Sequence, residues 1–133
     1  MDVVFLDANV LFSAACHPGS DLSKLWKMRD VSLVSSLYAA EEARRNLAKP
    51  EQRTRLEEML RSVKLVSALP IGPLPEGVKL PAKDIPILLA AVSARATHLL
   101  TGDIKHFGPY FERVIGGVTI LPPALYFKRK VLD

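Results

Sequence analysis

Short runs of apolar residues alternate along the chain with longer segments in which apolar residues recur every three or four positions. Runs of the first kind are typical of strands covered on both faces of a parallel sheet, and segments of the second kind are typical of helices packed on such a sheet. The predicted strands comprise residues 3–6, 31–35, 65–66, 97–101 and 118–121. Because strands and helices alternate, the pattern predicts an α/β fold in which a central five-stranded parallel sheet carries helices on both faces, joined by right-handed crossovers.

The predicted helices are separated by prolines, glycines and residues that can cap a helix. They comprise residues 11–16, 21–27, 37–48, 51–63, 84–96 and 123–127. The helix at 84–96 is the most hydrophobic, and it begins with Asp84, where a carboxylate is favoured by free backbone N–H groups. Pro86 in its first turn agrees with that start. Because neither half of the chain is large enough for a core of its own, residues 1–133 are predicted to form a single domain.

Composition narrows the class of protein. Of the 133 residues, 49% are hydrophobic, which is enough to fill the core of one domain and argues against disorder. The single cysteine, Cys16, leaves no partner for an internal disulfide bond. The amino terminus has no basic region, and the longest apolar stretch, residues 85–100, is interrupted by Arg95 and His98. We therefore expect neither a signal peptide nor a membrane span, but a soluble cytoplasmic protein.

Acidic residues follow two of the predicted strands at the point where each strand ends. Asp7 comes directly after the first strand, and Asp103 follows the fourth. The carboxyl ends of parallel strands point to the same edge of a sheet, so the two carboxylates meet there if the strands are neighbours. Asp84 opens the helix that leads into the fourth strand, and Glu41 or Glu42 lies early on the helix after the second strand. We therefore expect three or four acids at one edge of the sheet.

Several carboxylates in one place repel one another unless a cation neutralises them. Oxygen ligands without cysteine suit Mg²⁺ or Mn²⁺ rather than Zn²⁺, and the scattered histidines His17, His98 and His106 are interpreted as structural. A metal ion of this kind activates water and stabilises the charge that develops during displacement at a phosphodiester. An acidic pocket in a protein of net charge +4 fits such a substrate.

Each acid also has a structural interpretation, which the sequence leaves open. Asp7 and Asp84 can cap the elements that follow them, and Asp103 can be a turn residue after a glycine. Glu41 and Glu42 can belong to a solvated helix face with basic partners three and four residues further on. Periodicity does not choose between Glu41 and Glu42.

A basic stretch follows the glutamates, with arginine and lysine at residues 44, 45, 49, 53 and 55. Such a stretch is by default a solvated face, although it can also meet the phosphates of RNA. The candidates for RNA binding are Arg44, Arg45 and Lys105.

Three parts of the chain resemble a PIN domain, the small Mg²⁺-dependent ribonuclease fold of VapC-type toxins in toxin–antitoxin pairs. They are LDANVL at residues 6–11, EARRNL at residues 42–47, and KDIPILLAA at residues 83–91 with LLTGDIKHFG at residues 99–108. They occur in the order of the family, and the resemblance covers nearly the whole chain. It implies a PIN-like three-layer α/β/α sandwich with a central five-stranded parallel sheet, in which the first strand lies beside the fourth.

The resemblance also implies a quartet of acids, with Glu42 favoured over Glu41, that holds one or two Mg²⁺ or Mn²⁺ ions and a water that attacks an RNA phosphodiester. The quartet consists of Asp7, Glu42, Asp84 and Asp103. Asn9 and Thr101 match positions that support such a site by hydrogen bonding. Family members commonly form homodimers, and toxin members are held inactive by an antitoxin protein.

Our leading hypothesis is a metal-dependent endoribonuclease that is the toxin of a type II toxin–antitoxin pair. The chain departs from the family in carrying Lys83 and residues 104–106 where many relatives have a further acid. This departure motivates a second hypothesis, a catalytically weak or inactive PIN-like module that binds RNA or a protein. A third, a phosphohydrolase with Asp7 as its nucleophile, would need an acid at the position of Asn9.

Overall fold

A mostly parallel sheet lies between two layers of helices in the computed structural model, which describes residues 1–67 and 72–132. Within that part of the chain the sheet has six strands, which are β1 (Asp2–Leu6), β2 (Val31–Ser36), β3 (Lys64–Val66), β4 (His98–Leu100), β5 (Val114–Ile115) and β6 (Val118–Leu121). Their order across the sheet is β3-β2-β1-β4-β6-β5, and β5 alone is antiparallel to its neighbour. The five predicted parallel strands are confirmed, with β1 beside β4.

Five α-helices cover the sheet in the described residues, and they are α1 (Ala8–Cys16), α2 (Leu37–Asn46), α3 (Pro50–Leu60), α4 (Ile85–Ser93) and α5 (Pro123–Leu132). The predicted helix at 21–27 is a 3₁₀ helix, Asp21–Lys27, and a second 3₁₀ helix spans Gly108–Tyr110. α1 begins earlier than predicted because Asp7 caps it, and α5 continues past residue 127. None of the helices in residues 1–67 and 72–132 has the length and apolar character that crossing a bilayer requires.

The prediction of five strands is one short because β5 has only two residues, too few to show as an apolar run. β5 and β6 form a hairpin that turns at Gly116 and Gly117, whose φ angles are 58° and 85°. Glycine adopts this left-handed conformation without steric cost. A Cβ at Gly116 would also lie 2.9 Å from Cγ2 of Val92 on α4, so the close approach of the hairpin to that helix requires a glycine as well.

Both faces of the central strand β1 are buried, as its unbroken apolar run predicts. Val4 and Leu6 point into a core that α1, α2, α3 and α5 complete. Phe5, on the opposite face, points into a second core against α4. All three side chains are fully buried, and the resulting arrangement is the expected three-layer α/β/α sandwich.

The strands β1 and β4 end level with each other. Leu6 pairs with Leu100 in the parallel register, and the backbone N–H of Asp7 donates a hydrogen bond to the Leu100 carbonyl at 3.1 Å. The residues that follow the two strands, Asp7 and Thr101, are therefore neighbours at the carboxyl edge of the sheet.

Candidate active site

A cleft of about 430 Å³ opens at the carboxyl ends of β1 and β4. Its lining includes all four acids predicted from the sequence, and the full set is Asp7, Ala8, Asn9, Phe12, Glu42, Asn46, Lys83, Asp84 and Asp103. Lys83 and Asn46 had no place in the site predicted from sequence. A larger cleft of about 770 Å³ lies between the Asp21–Lys27 3₁₀ helix and α5, but its walls are mostly apolar. Of these two clefts in the described residues, the smaller one gathers the four predicted acids.

Asp7 is held in place by hydrogen bonds to both carboxylate oxygens. Its Oδ1 accepts from the N–H of Ala8 at 2.6 Å, which caps α1. Its Oδ2 accepts from the Thr101 hydroxyl at 2.8 Å and from the Asn9 amide nitrogen at 3.2 Å. The capping interpretation of Asp7 is therefore correct, and the same side chain also lines the cleft.

Thr101 and Asn9 form a network whose donors and acceptors can be assigned. The amide oxygen of Asn9 accepts from the backbone N–H of Gly102 at 2.9 Å, so the amide nitrogen faces Asp7 and Thr101. The Thr101 hydroxyl accepts from this nitrogen at 3.2 Å and from the N–H of Asp103 at 3.1 Å. Because a hydroxyl has two acceptor sites and one proton, its proton must go to Asp7. The two predicted supporting residues thus orient one oxygen of Asp7.

The buried carboxyl of Asp7 is costly to ionise. Only 4% of the residue is exposed, and burial raises its pKa to about 6, with the charges of Asp84 and Glu42 adding to the shift and the hydrogen bonds from Thr101 and Ala8 opposing it. A cation in the cleft would remove this cost.

Asp84 and Asp103 share contacts with a histidine that the sequence analysis interpreted as structural. The backbone N–H of His106 donates to Asp103 Oδ1 at 3.0 Å, and its ring Nδ1 donates to Asp103 Oδ2 at 2.9 Å. The same Nδ1 lies 3.1 Å from Asp84 Oδ2. These contacts bring His106 together with two of the predicted site residues. The spacing of three residues between Asp103 and His106, which suits a turn closed by an aspartate side chain, was the available signal.

The two aspartates have shifted pKa values of opposite sign. Burial raises the pKa of Asp84, and the nearby Asp103 charge adds to the rise while Lys83 and His106 oppose it. Partial burial alone would raise the pKa of Asp103, but the two hydrogen bonds from His106 and the charges of His106 and Lys83 together leave the pKa below its ordinary value. Asp103 is thus the more readily ionised of the pair.

The segment before α4 is attached to α2. The Tyr38 hydroxyl, on the first turn of α2, donates to the backbone carbonyl of Lys83 at 2.7 Å. The N–H of Asp84 donates to the carbonyl of Pro81 at 2.9 Å, which closes a turn. Asp84 itself makes no side-chain cap, so its interpretation as a simple helix cap does not describe its carboxylate.

The structure separates the two glutamates of α2. Glu42 is half-buried and lines the cleft, whereas Glu41 is exposed and lies 3.6 Å from Arg44. Arg44 also makes hydrogen bonds of 2.8 to 3.1 Å to the carboxylate of Glu57 on α3, so its guanidinium is engaged within the protein. The other candidates for RNA binding, Arg45 and Lys105, are exposed.

The cleft suits a divalent cation, as two features of its carboxylates indicate. Asp84 is 7% exposed, and its Oδ2 is buried without a hydrogen bond, because the single Nδ1 proton of His106 goes to Asp103. A buried oxygen of this kind carries an uncompensated desolvation cost unless a ligand meets it. The carboxylates of Asp7, Glu42 and Asp103 open into the same cleft, and such oxygen donors are those that Mg²⁺ and Mn²⁺ prefer.

We expect the two glutamates to differ in their effect on metal binding. Glu42→Gln should weaken Mn²⁺ binding by roughly 10- to 100-fold because it removes a carboxylate from the cleft. Glu41→Gln, its neighbour outside the cleft, should leave the affinity unchanged. Titration calorimetry of the two variants and the wild type measures this, and equal affinities of the two variants would contradict the placement of Glu42 in the metal site.

Comparison with known proteins finds one family model and solved structures of similar fold. A family model described as PIN domain matches residues 3–105. A crystal structure of VapBC2 from Rickettsia felis, bound to a DNA fragment from their promoter, has a chain of similar fold with a TM-score of 0.65 and 19% identity over 90% of this chain and 98% of that one. A 2.2 Å structure of VapBC-1 from nontypeable Haemophilus influenzae gives a TM-score of 0.55 and 16% identity over 90% and 97%. No curated protein matches the chain.

Proposed function

The chain belongs to the PIN domain family, whose members are in general nucleases, and we propose that it is a Mg²⁺- or Mn²⁺-dependent endoribonuclease that hydrolyses RNA phosphodiester bonds. The observation that carries this proposal is the convergence of four carboxylates on one cleft, around a buried oxygen that has no hydrogen bond. In a protein of net charge +4, an acidic cleft of this kind favours a polyanionic substrate bound through a metal ion.

Each residue of the cleft has a role in this proposal. Asp7, Asp84 and Asp103 would hold the ion, with Glu42 completing the ligand set. When bound, the ion supplies a water of lowered pKa and stabilises negative charge on the phosphate. Thr101 and Asn9 both donate to Asp7 Oδ2 and so keep the carboxylate in one orientation. Lys83 lines the same cleft from an exposed position, where its positive charge reduces the repulsion between the acids and a phosphodiester.

The proposal extends to the role of toxin in a toxin–antitoxin pair. The two solved structures described above are of VapBC proteins, and the sequence segments that resemble VapC-type toxins point the same way. We therefore propose RNA as the substrate, an antitoxin protein as the partner and a homodimer in the cytoplasm as the working form. Co-purification with the product of a neighbouring gene, together with inhibition by it, would test the partner.

The nuclease itself is tested by incubating the purified protein with a varied RNA pool in Mg²⁺, in Mn²⁺ and in excess chelator. We expect cleavage with either ion, none with chelator, and recovery when the ion is restored, because the carboxylates alone cannot activate water. Asp103→Asn should lose the activity.

Two outcomes would overturn the proposal. Cleavage that persists both in chelator and in Asp103→Asn would come from a contaminating nuclease. RNA binding by a folded protein that neither takes up metal nor cleaves would favour the binding module instead.

A further inference from the structure

One ring nitrogen faces two carboxylates in the cleft. Nδ1 of His106 lies 2.9 Å from Asp103 Oδ2 and 3.1 Å from Asp84 Oδ2. An imidazole carries at most one proton on Nδ1, so it can complete a hydrogen bond to one of these oxygens. The bond goes to Asp103, and Asp84 Oδ2, which belongs to a residue only 7% exposed, is buried without a hydrogen bond. A proton on Nδ1 therefore provides a hydrogen bond for only one of the two carboxylate oxygens.

A metal ion in place of that proton could bind the ring nitrogen and both carboxylate oxygens. Ligand bonds of roughly 2.1 Å at right angles put neighbouring ligands of an octahedral ion roughly 3.0 Å apart. Both observed separations from Nδ1 are close to this value, and the donor atoms of Asp84, Asp103 and His106 all lie within 4.8 Å of one another. The three side chains thus have the spacing of ligands to one ion.

We infer that His106 is a ligand of the metal ion through Nδ1, together with Asp84 and Asp103, and that the site consequently selects Mn²⁺ over Mg²⁺. Mg²⁺ is bound in proteins by oxygen, whereas imidazole suits transition-metal ions, and Mn²⁺ is a transition-metal ion that suits a carboxylate-rich site. The inference rests on the proposed function for the presence of a metal, and it adds a nitrogen donor to a site that the sequence analysis described by its carboxylates alone.

A positioning role for His106 makes a different prediction. If the ring only orients the Asp103 carboxylate, its removal disturbs that oxygen ligand and weakens Mn²⁺ and Mg²⁺ binding alike. If the ring is itself a ligand, its removal weakens Mn²⁺ binding more than Mg²⁺ binding. The ratio of the two affinities therefore separates the two roles, and both are measured on the free protein without RNA.

The experiment is titration calorimetry with MnCl₂ and with MgCl₂ on the wild type, on His106→Asn and on His17→Asn, the last being an exposed histidine outside the cleft. We expect His106→Asn to lose roughly tenfold or more in Mn²⁺ affinity and to change little for Mg²⁺, and His17→Asn to match the wild type. A parallel loss for both ions, or no loss for either, would overturn the inference.

His106→Asp provides the converse variant, since it replaces the nitrogen donor by an oxygen donor. It should bind Mg²⁺ at least as well as the wild type does and have a lower ratio of Mn²⁺ to Mg²⁺ affinity. A ratio as high as that of the wild type would contradict a nitrogen ligand at this position. Thermal unfolding of the metal-free variants verifies that each is folded.

Pulsed electron paramagnetic resonance of the bound Mn²⁺ gives a direct readout. We expect nitrogen couplings in the wild type and in His17→Asn, and their absence in His106→Asn. Absent couplings in the wild type would reject the ligand while leaving the nuclease proposal intact, because metal-dependent RNA cleavage is measured separately. A protein that binds neither ion would overturn the inference, and cleavage that survives chelation would overturn the proposed function.

Discussion

Asp7→Asn should lower RNA cleavage by more than roughly a hundredfold, because it removes a charged group from the reacting centre. The metal-free variant should be at least as stable as the wild type at neutral pH. The activity falls because an amide is a poor ligand for Mg²⁺ or Mn²⁺ and the cleft loses its most deeply buried carboxylate. The shape of the side chain is unchanged.

The stability of Asp7→Asn depends on the cost of ionising the buried carboxyl and on the hydrogen bonds that the amide loses. Burial and the neighbouring charges raise the pKa of Asp7 to about 6 from 3.8, so an ionised carboxylate there costs about 3 kcal/mol at neutral pH. Asparagine avoids this cost, but its NH₂ group would face the donors of Thr101 and Asn9, and each mismatched hydrogen bond costs about 1 kcal/mol. We therefore expect a net change between zero and about 2 kcal/mol in favour of the variant.

Cleavage assays and urea unfolding in chelator measure the two effects. Asp21→Asn is the matched control, because 84% of the Asp21 side chain is exposed and it lies outside the acidic cleft. It should retain activity. Full activity of Asp7→Asn would exclude Asp7 from the chemistry, and a large loss of its stability would show that the carboxylate is needed for the fold.

The second large effect expected is a loss of stability of the metal-free protein as the pH rises from about 4 to 6. The folded carboxyl of Asp7 has a higher pKa than the unfolded one, so between 3.8 and about 6 the native state holds a proton that the unfolded chain has released. The free energy of unfolding accordingly falls across this window, by about 3 kcal/mol from this group. The raised pKa of Asp84 acts in the same direction, whereas the lowered pKa of Asp103 acts in the opposite one.

Comparison with Asp7→Asn isolates this contribution from the other titrating groups. The difference in the free energy of unfolding between variant and wild type should grow in favour of the variant as the pH rises from 4 to 7, on the order of the cost just given. Added Mn²⁺ should then stabilise the wild type at pH 7, by about 2.7 kcal/mol when its concentration is about 100 times the dissociation constant, and stabilise the variant much less. If the difference in the free energy of unfolding does not change with pH, the raised pKa of the buried Asp7 carboxyl is contradicted.

Much of the fold could be predicted from local sequence. The apolar run that becomes β1 is recognisable because a strand buried on both faces needs no polar alternation. β5 could not be predicted in this way, because two residues carry no periodicity and its position depends on the hairpin at Gly116 packing against Val92. The 3₁₀ conformation of Asp21–Lys27 likewise has no signature in the pattern of apolar residues, which is similar for short helices of either kind.

The candidate site divides in the same way. Asp7 and Asp103 were predictable because each follows a parallel strand, and the edge where such strands end is set by topology. The choice between Glu41 and Glu42 was left open by periodicity, because adjacent residues on a helix differ by about 100° in direction and only the packing of α2 decides which of them faces the cleft.

By itself, the sequence determined the alternation of strands and helices, the likeness to the PIN family and three of the candidate acids, Asp7, Asp84 and Asp103. The tertiary structure alone decided that Asp7 is nearly inaccessible to solvent, that Asp84 has a buried oxygen without a hydrogen bond, and that His106 joins Asp84 and Asp103 in one cluster. The physical reason is that burial and the orientation of side chains arise from contacts between residues far apart in the chain. Local patterns specify which face of an element is apolar, but not which polar groups from different elements will meet.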